Sequence, residues 1–335
     1  RRGGRINRNA TTGASRMIKK HTHGFLFASL SLVATSTADI TLHVSPQGND
    51  AWSGKLPQAN AAKTDGPLAT PAGARDAARK LDSKPVRVQF ADGVYPLEAP
   101  VEFTAADSGV TFEAAPGAKP VLSGGRAITG WKQGPGDVWE TVAPWRFEQL
   151  WINGRRATRA RTPNDFYHYM RGKVASGTDP ATGKEADLSA RAIAGRGDDL
   201  APLFDLPKEQ LADVCAVVYH SWEMSRHRIA AADPAKRMLV ATSGAPWEFF
   251  KWGPDQRYHL ENFRAALDAP GEWFLARDGK LSYIPLPGED MTKAEVIAPV
   301  TGHFVSIKGA EHITLRGLSF QHAGYTLPPE GHGDN

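Results

Sequence analysis

Between residues 86 and 122 the chain is a succession of β-forming runs three to five residues long, each cut short by turn residues, and this spacing constrains the fold more than any other feature. The runs fall at 86–90, 101–103, 110–112 and 120–122, punctuated by Asp92-Gly93, Asp107-Ser108-Gly109, Pro116-Gly117 and Gly124-Gly125. Strands so short and unevenly spaced are poor material for a sandwich or jelly roll, the architectural alternative. They suit the coils of a β-solenoid, where each turn stacks on the last and inward side chains form apolar ladders. The open end of such a stack needs a cover. Thr70-Pro71 supplies an N-cap with proline at the first helical position, and Ala74, Ala77, Ala78 and Leu81 recur at helical spacing, so a helix is predicted over 71–81 as that cover, with Arg75, Arg79 and Lys80 outward.

From Trp131 to Pro299 the character changes. Eight of the nine tryptophans fall here, and 214–219, 227–232, 238–242, 273–276 and 281–284 read as ordinary antiparallel strands, with Asp278-Gly279 as a hairpin turn. The short-run pattern then returns at 304–307 and 313–320. The predicted fold class is therefore all-β: a right-handed parallel β-helix with an N-terminal capping helix, interrupted by an inserted antiparallel β-rich domain. In this division 39–130 holds the cap and first coils, 131–299 the insertion, and 300–335 the resumed coil. With the last coil barely begun at Asn335, the sequence is expected to be part of a longer protein.

The seven basic residues ahead of Asp39 exceed the whole net charge of +4, leaving the rest of the chain at −3. Lys19-Lys20, the apolar run 25–34 and Ser36-Thr37-Ala38 form the three parts of an export signal over 17–38, with 1–16 an upstream translated segment. The expected location is secreted, periplasmic or cell-surface. The mildly acidic remainder gives no reason to expect a nucleic-acid partner, and no membrane span is expected once the signal is cleaved. Cys215 is the single cysteine, so no internal disulfide is possible. Phosphate loops, zincin motifs, nucleophile elbows and paired CxxC motifs are absent from the sequence, so neither a cofactor nor a metal is expected, and the chain is read as a monomer.

Several segments resemble right-handed β-helix proteins of the glycoside hydrolase family 141 type. They are Val44-Ser45-Pro46-Gln47-Gly48-Asn49-Asp50, Gly66-Pro67-Leu68-Ala69-Thr70, Gln149-Leu150-Trp151-Ile152-Asn153-Gly154-Arg155-Arg156, Arg159-Ala160-Arg161-Thr162-Pro163-Asn164 and Leu267-Asp268-Ala269-Pro270-Gly271-Glu272-Trp273-Phe274. The first two are common among exported β-helix proteins, and the other three are more specific. The resemblance implies an insertion within the early coils and hydrolysis of α-L-fucosides or xylan-like polysaccharides, with catalytic carboxylates on later coils. A polysaccharide lyase and a non-catalytic glycan-binding surface protein are the alternatives.

Glycoside hydrolysis uses two carboxyl groups, about 5–5.5 Å apart for retention and about 6.5–9.5 Å for inversion. Asp92, Asp107, Asp137 and Asp278 sit in glycine-containing turns, where a short acceptor serves the local backbone. Glu330 and Asp334, in a loop leaving a coil, are the catalytic candidates. In the stretch 220–228, read as one strand, His220, Trp222, Met224, Arg226 and Arg228 share a face, opposite Ser221, Glu223, Ser225 and His227. Trp222, Arg226 and His227 are accordingly substrate-binding candidates beside a plainer reading as a packed domain interface. His303, His312 and His322 are too irregularly spaced for a metal cluster. His312 reads as a turn residue, and His322, beside an apolar run, as a further substrate-binding candidate.

Overall fold

A computed structural model describes residues 40–82, 85–328 and 331–334. The segments 1–16 and 17–38, and Glu330, lie outside these residues. Strands far outnumber helices in the described chain, and among the described residues no helix is long and apolar enough to cross a membrane.

The first strands are β1 (Ile40–Val44), β2 (Val86–Phe90), β3 (Gly93–Pro96), β4 (Val101–Thr104), β5 (Val110–Ala114) and β6 (Pro120–Ser123). They form three groups of parallel neighbours. One contains β1, β2, β5 and Thr314–Arg316; the second β3, β6 and Ser319–Gln321; the third β4 and Val305–Lys308. Because the pairing is in register, equivalent side chains stack, and Leu42, Val88 and Phe112 make one inward row. Phe112 meets Phe90 and Phe103 with ring centroids 5.2 Å apart in each pair, so the aromatic side chains fill the interior where three strands converge. The row continues to Leu315, which is 38% exposed, as are Ile307 at 52% and Phe320 at 39%. This face of the parallel stack is therefore an open apolar row.

Helix α1 (Pro71–Arg79) covers the other side of this core, burying Pro71, Ala74 and Ala78 with Leu81 packed beside them. Thr70 Oγ1 accepts from the Gly73 N–H at 2.9 Å, and Asp50 accepts from Ala69 N, Thr70 N and Thr70 Oγ1, which fixes the approach to the helix. Arg79 departs from its expected outward position. It turns back to Asp107, which is fully buried, donating from Nε and Nη2 at 2.7 Å each. A turn aspartate thus doubles as the anchor of the helix. Strand β3 is a second departure from the sequence reading, which gave Asp92-Gly93 only a turn. With Tyr95 its one buried side chain, it carries no apolar alternation to reveal it.

The chain leaves the parallel strands after β6 and returns beside its own exit, since Gly125–Ala127 pairs antiparallel with Val296–Pro299. Glycine is required there: a Cβ on Gly125 would lie 2.4 Å from Ile297 Cγ2, and one on Gly124 2.8 Å from Thr301 Cγ2. Between these strands lies an antiparallel sheet ordered around Cys215–Tyr219, flanked by Met224–Asp233 and Arg257–Glu261. One face buries Ala216, Val218, Ile229, Tyr258 and Leu260 in a core of its own. The opposite face carries the candidate site. Leu281 and Trp273 belong to a third core, and the turn at Asp278-Gly279 joins Glu272–Leu275 to Lys280–Tyr283 as expected.

Candidate functional site

Alternation along the antiparallel strands decides what reaches the second face. Arg226 and Arg228 project from Met224–Asp233, Cys215 and Val217 from the central strand, and His259 and Glu261 from Arg257–Glu261, all by the two-residue period. Above them, Arg159 and Arg161 flank the buried Ala160, in a segment held to Trp273 by the Ala160 N–H donating to the Trp273 carbonyl at 2.8 Å. The result is a cavity of about 540 Å³ lined by Glu148, Arg156, Arg159, Arg161, Arg226 and Glu261, with Met224, Trp273 and Tyr325 as its apolar parts. Tyr325 arrives from the strand Ser319–Gln321. Gln149 fastens it, donating from Nε2 to the Tyr325 carbonyl at 2.7 Å and accepting from its N–H at 2.6 Å. The parallel strands and the antiparallel sheet thus meet at this cavity.

Each oxygen of its two carboxylates has a partner. Glu261 accepts from Arg226 Nη1 at 2.9 Å on one oxygen and from His259 Nε2 at 2.7 Å on the other. Burial alone would raise the Glu261 carboxyl, but the His259 bond and the Arg226 charge outweigh it and hold it at about 2. Arg226 is correspondingly raised, Glu261 overcoming the burial that opposes its charge. His259 is lowered by burial, so it is neutral, donating from Nε2 to Glu261 while Nδ1 accepts from Tyr219 Oη at 3.0 Å. Glu148 takes Arg228 on one oxygen, and Arg159 at 3.5 Å with the Leu327 N–H at 3.4 Å on the other. Burial lowers the Arg159 guanidinium against the pull of Glu148, and it lies 5.8 Å from the centre of the Trp273 ring. Glu272 serves the loops instead, accepting from the backbone N–H groups of Arg161, Asp268 and Ala269 at 3.2 Å each.

Among the four substrate-binding candidates, Arg226 lines the cavity and the other three stand elsewhere. His227 is fully buried on the core face, where its Nε2 meets Ser225 Oγ at 2.8 Å and its Nδ1 the Ser243 carbonyl at 3.3 Å. Ser225 also meets His220 Nε2 at 2.8 Å. One ordering of protons satisfies this group: Nδ1–H of His227 to the carbonyl, Ser225 O–H to His227, and Nε2–H of His220 to Ser225. The stretch 220–223 is a hairpin turn, closed by the His220 N–H donating to the Glu223 carbonyl at 2.9 Å, so strand alternation begins at Met224 and His220 joins the face opposite to the expected one. Trp222 stands at the tip, 67% exposed, with its ring centroid 4.5 Å from that of Trp252, which in turn lies 5.2 Å from Trp247. His322 has φ +64°, bonds Ser123 Oγ through Nδ1 at 2.9 Å, and lies against Trp151, the cross-strand partner of Arg156. His312, at φ +56°, is the turn residue it was read as. Asp334 pairs at the register position opposite Ser225, on a strand added to the edge of the sheet. Among the described residues no group of three or more His, Cys, Asp or Glu side chains is gathered to hold a metal.

Among the described residues, His43, His168, His259 and His322 are lowered from 6.5, chiefly by loss of solvation, which makes them sensitive to mild acid. The unfolded chain then takes up protons near 6.5 that the folded chain refuses, so stability is complete above that pH and falls as pH drops toward the folded values. The urea midpoint should accordingly be lower at pH 5.5 than at pH 7.5, with a decline already under way before carboxylates titrate.

No family model matches the chain, and no curated protein sequence does. Solved structures do. A structure described as a glycoside hydrolase superposes with a TM-score of 0.70 at 25% identity, over 88% of this chain and 52% of that one. The chain spans about half the length of that protein and has a glycoside-hydrolase-like fold. A second structure, the complex of XylC with xylose, covers 87% of this chain and 36% of its own at 16% identity, with a TM-score of 0.35 too low to carry an argument.

Proposed function

We propose that this protein is an exported glycoside hydrolase of the family 141 type, built on a right-handed parallel β-helix with an inserted domain, acting on α-L-fucoside or xylan-like polysaccharide. The observation that carries the reading is the cavity where Tyr325, arriving from the parallel strands, meets the arginine and glutamate side chains of the insertion. Supporting it, three of the segments that resemble the family build this place: Gln149 and Arg156 come from one, Arg159 and Arg161 from the second, Trp273 from the third. The solved glycoside hydrolase adds a like fold.

In this reading Glu148 and Glu261 hold the arginine side chains of the cavity in place. A general acid needs a carboxyl raised toward neutrality, and Glu261 is held at about 2. The proton donor and its partner carboxylate lie elsewhere in this reading, with Glu330 and Asp334 as candidates. The full-length protein should release reducing ends from at least one fucoside or xylan on a polysaccharide panel, and silence on every member would sink the proposal.

A second reading, non-catalytic glycan binding, is favoured by the exposed cluster of Trp222, Trp247 and Trp252, with Lys251 Nζ 4.9 Å from the Trp247 ring centre. Aromatic faces clustered in water suit stacking on sugar rings. Trp222→Ala should leave stability within about 0.5 kcal/mol while weakening retention on an insoluble polysaccharide several-fold, as followed by a sedimentation assay. Undiminished retention would remove this surface from the account, and retention without turnover by the full-length protein would select the non-catalytic reading.

A further inference from the structure

We infer that the cavity beside Arg226 recognises a carboxylate-bearing sugar, a uronic acid residue within a glycan chain. The inference rests on the proposed carbohydrate function and names the chemistry of the sugar that site takes. Its ground is an imbalance of charge and of hydrogen-bonding type. Four guanidinium groups line the cavity against two carboxylates, and Arg228 behind them takes one oxygen of Glu148. Each carboxylate oxygen already holds an arginine or histidine donor, so the acidic groups are spent within the lining and an excess of guanidinium charge remains there.

Donors, by contrast, are in surplus. Among the described residues Arg156 has no carboxylate partner, and its side chain is exposed. Among the described residues the Arg161 guanidinium donates to carbonyls, from Nε to Pro163 at 3.0 Å and from Nη2 to Phe166 at 3.1 Å. Arg159, its side chain 9% exposed, has a buried Nε without a hydrogen-bond partner, and so has the indole N–H of Trp273 in the same lining. A planar carboxylate matches the donor fork of a guanidinium and would neutralise the uncompensated charge. Tyr325, 38% exposed, and Met224 offer apolar surface for the ring that bears it.

Calorimetric titration of the full chain tests this, with galacturonate and glucuronate trisaccharides, their neutral galactose and glucose counterparts, and sodium sulfate as probes. At least one acidic trisaccharide should bind about tenfold or more tightly than its neutral counterpart, with affinity falling as salt is raised. Arg156→Ala removes an exposed, unpaired group and should weaken the acidic ligand roughly tenfold to a hundredfold, leaving the neutral one unchanged. Arg126→Ala, away from the cavity, should change neither. Equal binding of acidic and neutral sugars, indifference to Arg156→Ala, sulfate binding as tight as the trisaccharide, or no binding of either acid would each overturn the inference. Reducing-end release is read separately, so hydrolysis of a neutral glycan alongside such a result would leave the hydrolase reading standing.

Discussion

Replacing Asp107 with alanine should cost about 3–5 kcal/mol of folding stability, toward the lower end because Arg79 keeps 31% of its side chain in solvent. The aspartate is fully buried and accepts two bonds from Arg79, one from the Thr104 N–H at 2.6 Å and one from Thr104 Oγ1 at 3.2 Å. Removing it strands a guanidinium on the helix and a backbone donor in the interior, and loosens α1 from the strands it covers. Arg79→Met should cost a comparable amount, and the double variant less than the sum, since the second change removes a group already orphaned. Denaturant titration reads all three. The acid limb carries the same signature: burial raises the Asp107 carboxyl, but Arg79 and Thr104 outweigh it and hold it below 3.8. Its contribution is therefore complete above that pH and lost as pH falls through the lower folded value. Asp107→Asn, which keeps the shape and one acceptor, should lie between wild type and alanine.

Arg226→Met is the second large effect, again about 3–5 kcal/mol. It leaves Glu261, its side chain 11% exposed, without the cation bonded to it at 2.9 Å. Two consequences separate this from a generic packing defect. Adding Glu261→Gln should recover part of the loss, because the uncompensated charge goes with it. The His259 imidazole, lowered by burial in the wild type, should rise in Arg226→Met as it becomes the nearest available cation for Glu261, which nuclear magnetic resonance titration of its ring protons would follow. An unchanged His259 titration would show that the three groups do not act together.

Both predictions concern contacts that no local pattern announces. The runs at 86–90, 101–103 and 110–112 were legible as strands because each inward residue is apolar and each run ends in turn residues. The helix was legible from its cap and its alanines, yet Arg79 looked like a solvated charge because Asp107, its partner, lies 28 residues away in what reads as a surface turn. The run 313–320 reads as continuous, but Gly317, at φ +66°, splits it into Thr314–Arg316 and Ser319–Gln321, which belong to different parallel groups. The hairpin at 220–223 contains no glycine, proline or asparagine, so nothing marked the turn. Arg226 was singled out for its face of the strand, and the cavity does contain it. The neighbours that define its chemistry, Arg159, Glu148, Glu261 and Tyr325, come from four separate segments, and the Gln149–Tyr325 clamp spans 176 residues. The segments 149–156, 159–164 and 267–274, recognisable as motifs in the sequence, contribute Gln149, Arg156, Arg159, Arg161 and Trp273 to this one cavity.

In the proposed function a glycan chain lies where the parallel strands meet the antiparallel sheet. A crystal structure of the full-length protein soaked with an acidic trisaccharide tests it most directly. Sugar density is expected in the cavity with its carboxylate against Arg156 or Arg161; density confined to the Trp222–Trp252 surface, with the cavity holding only solvent, would rule this placement out.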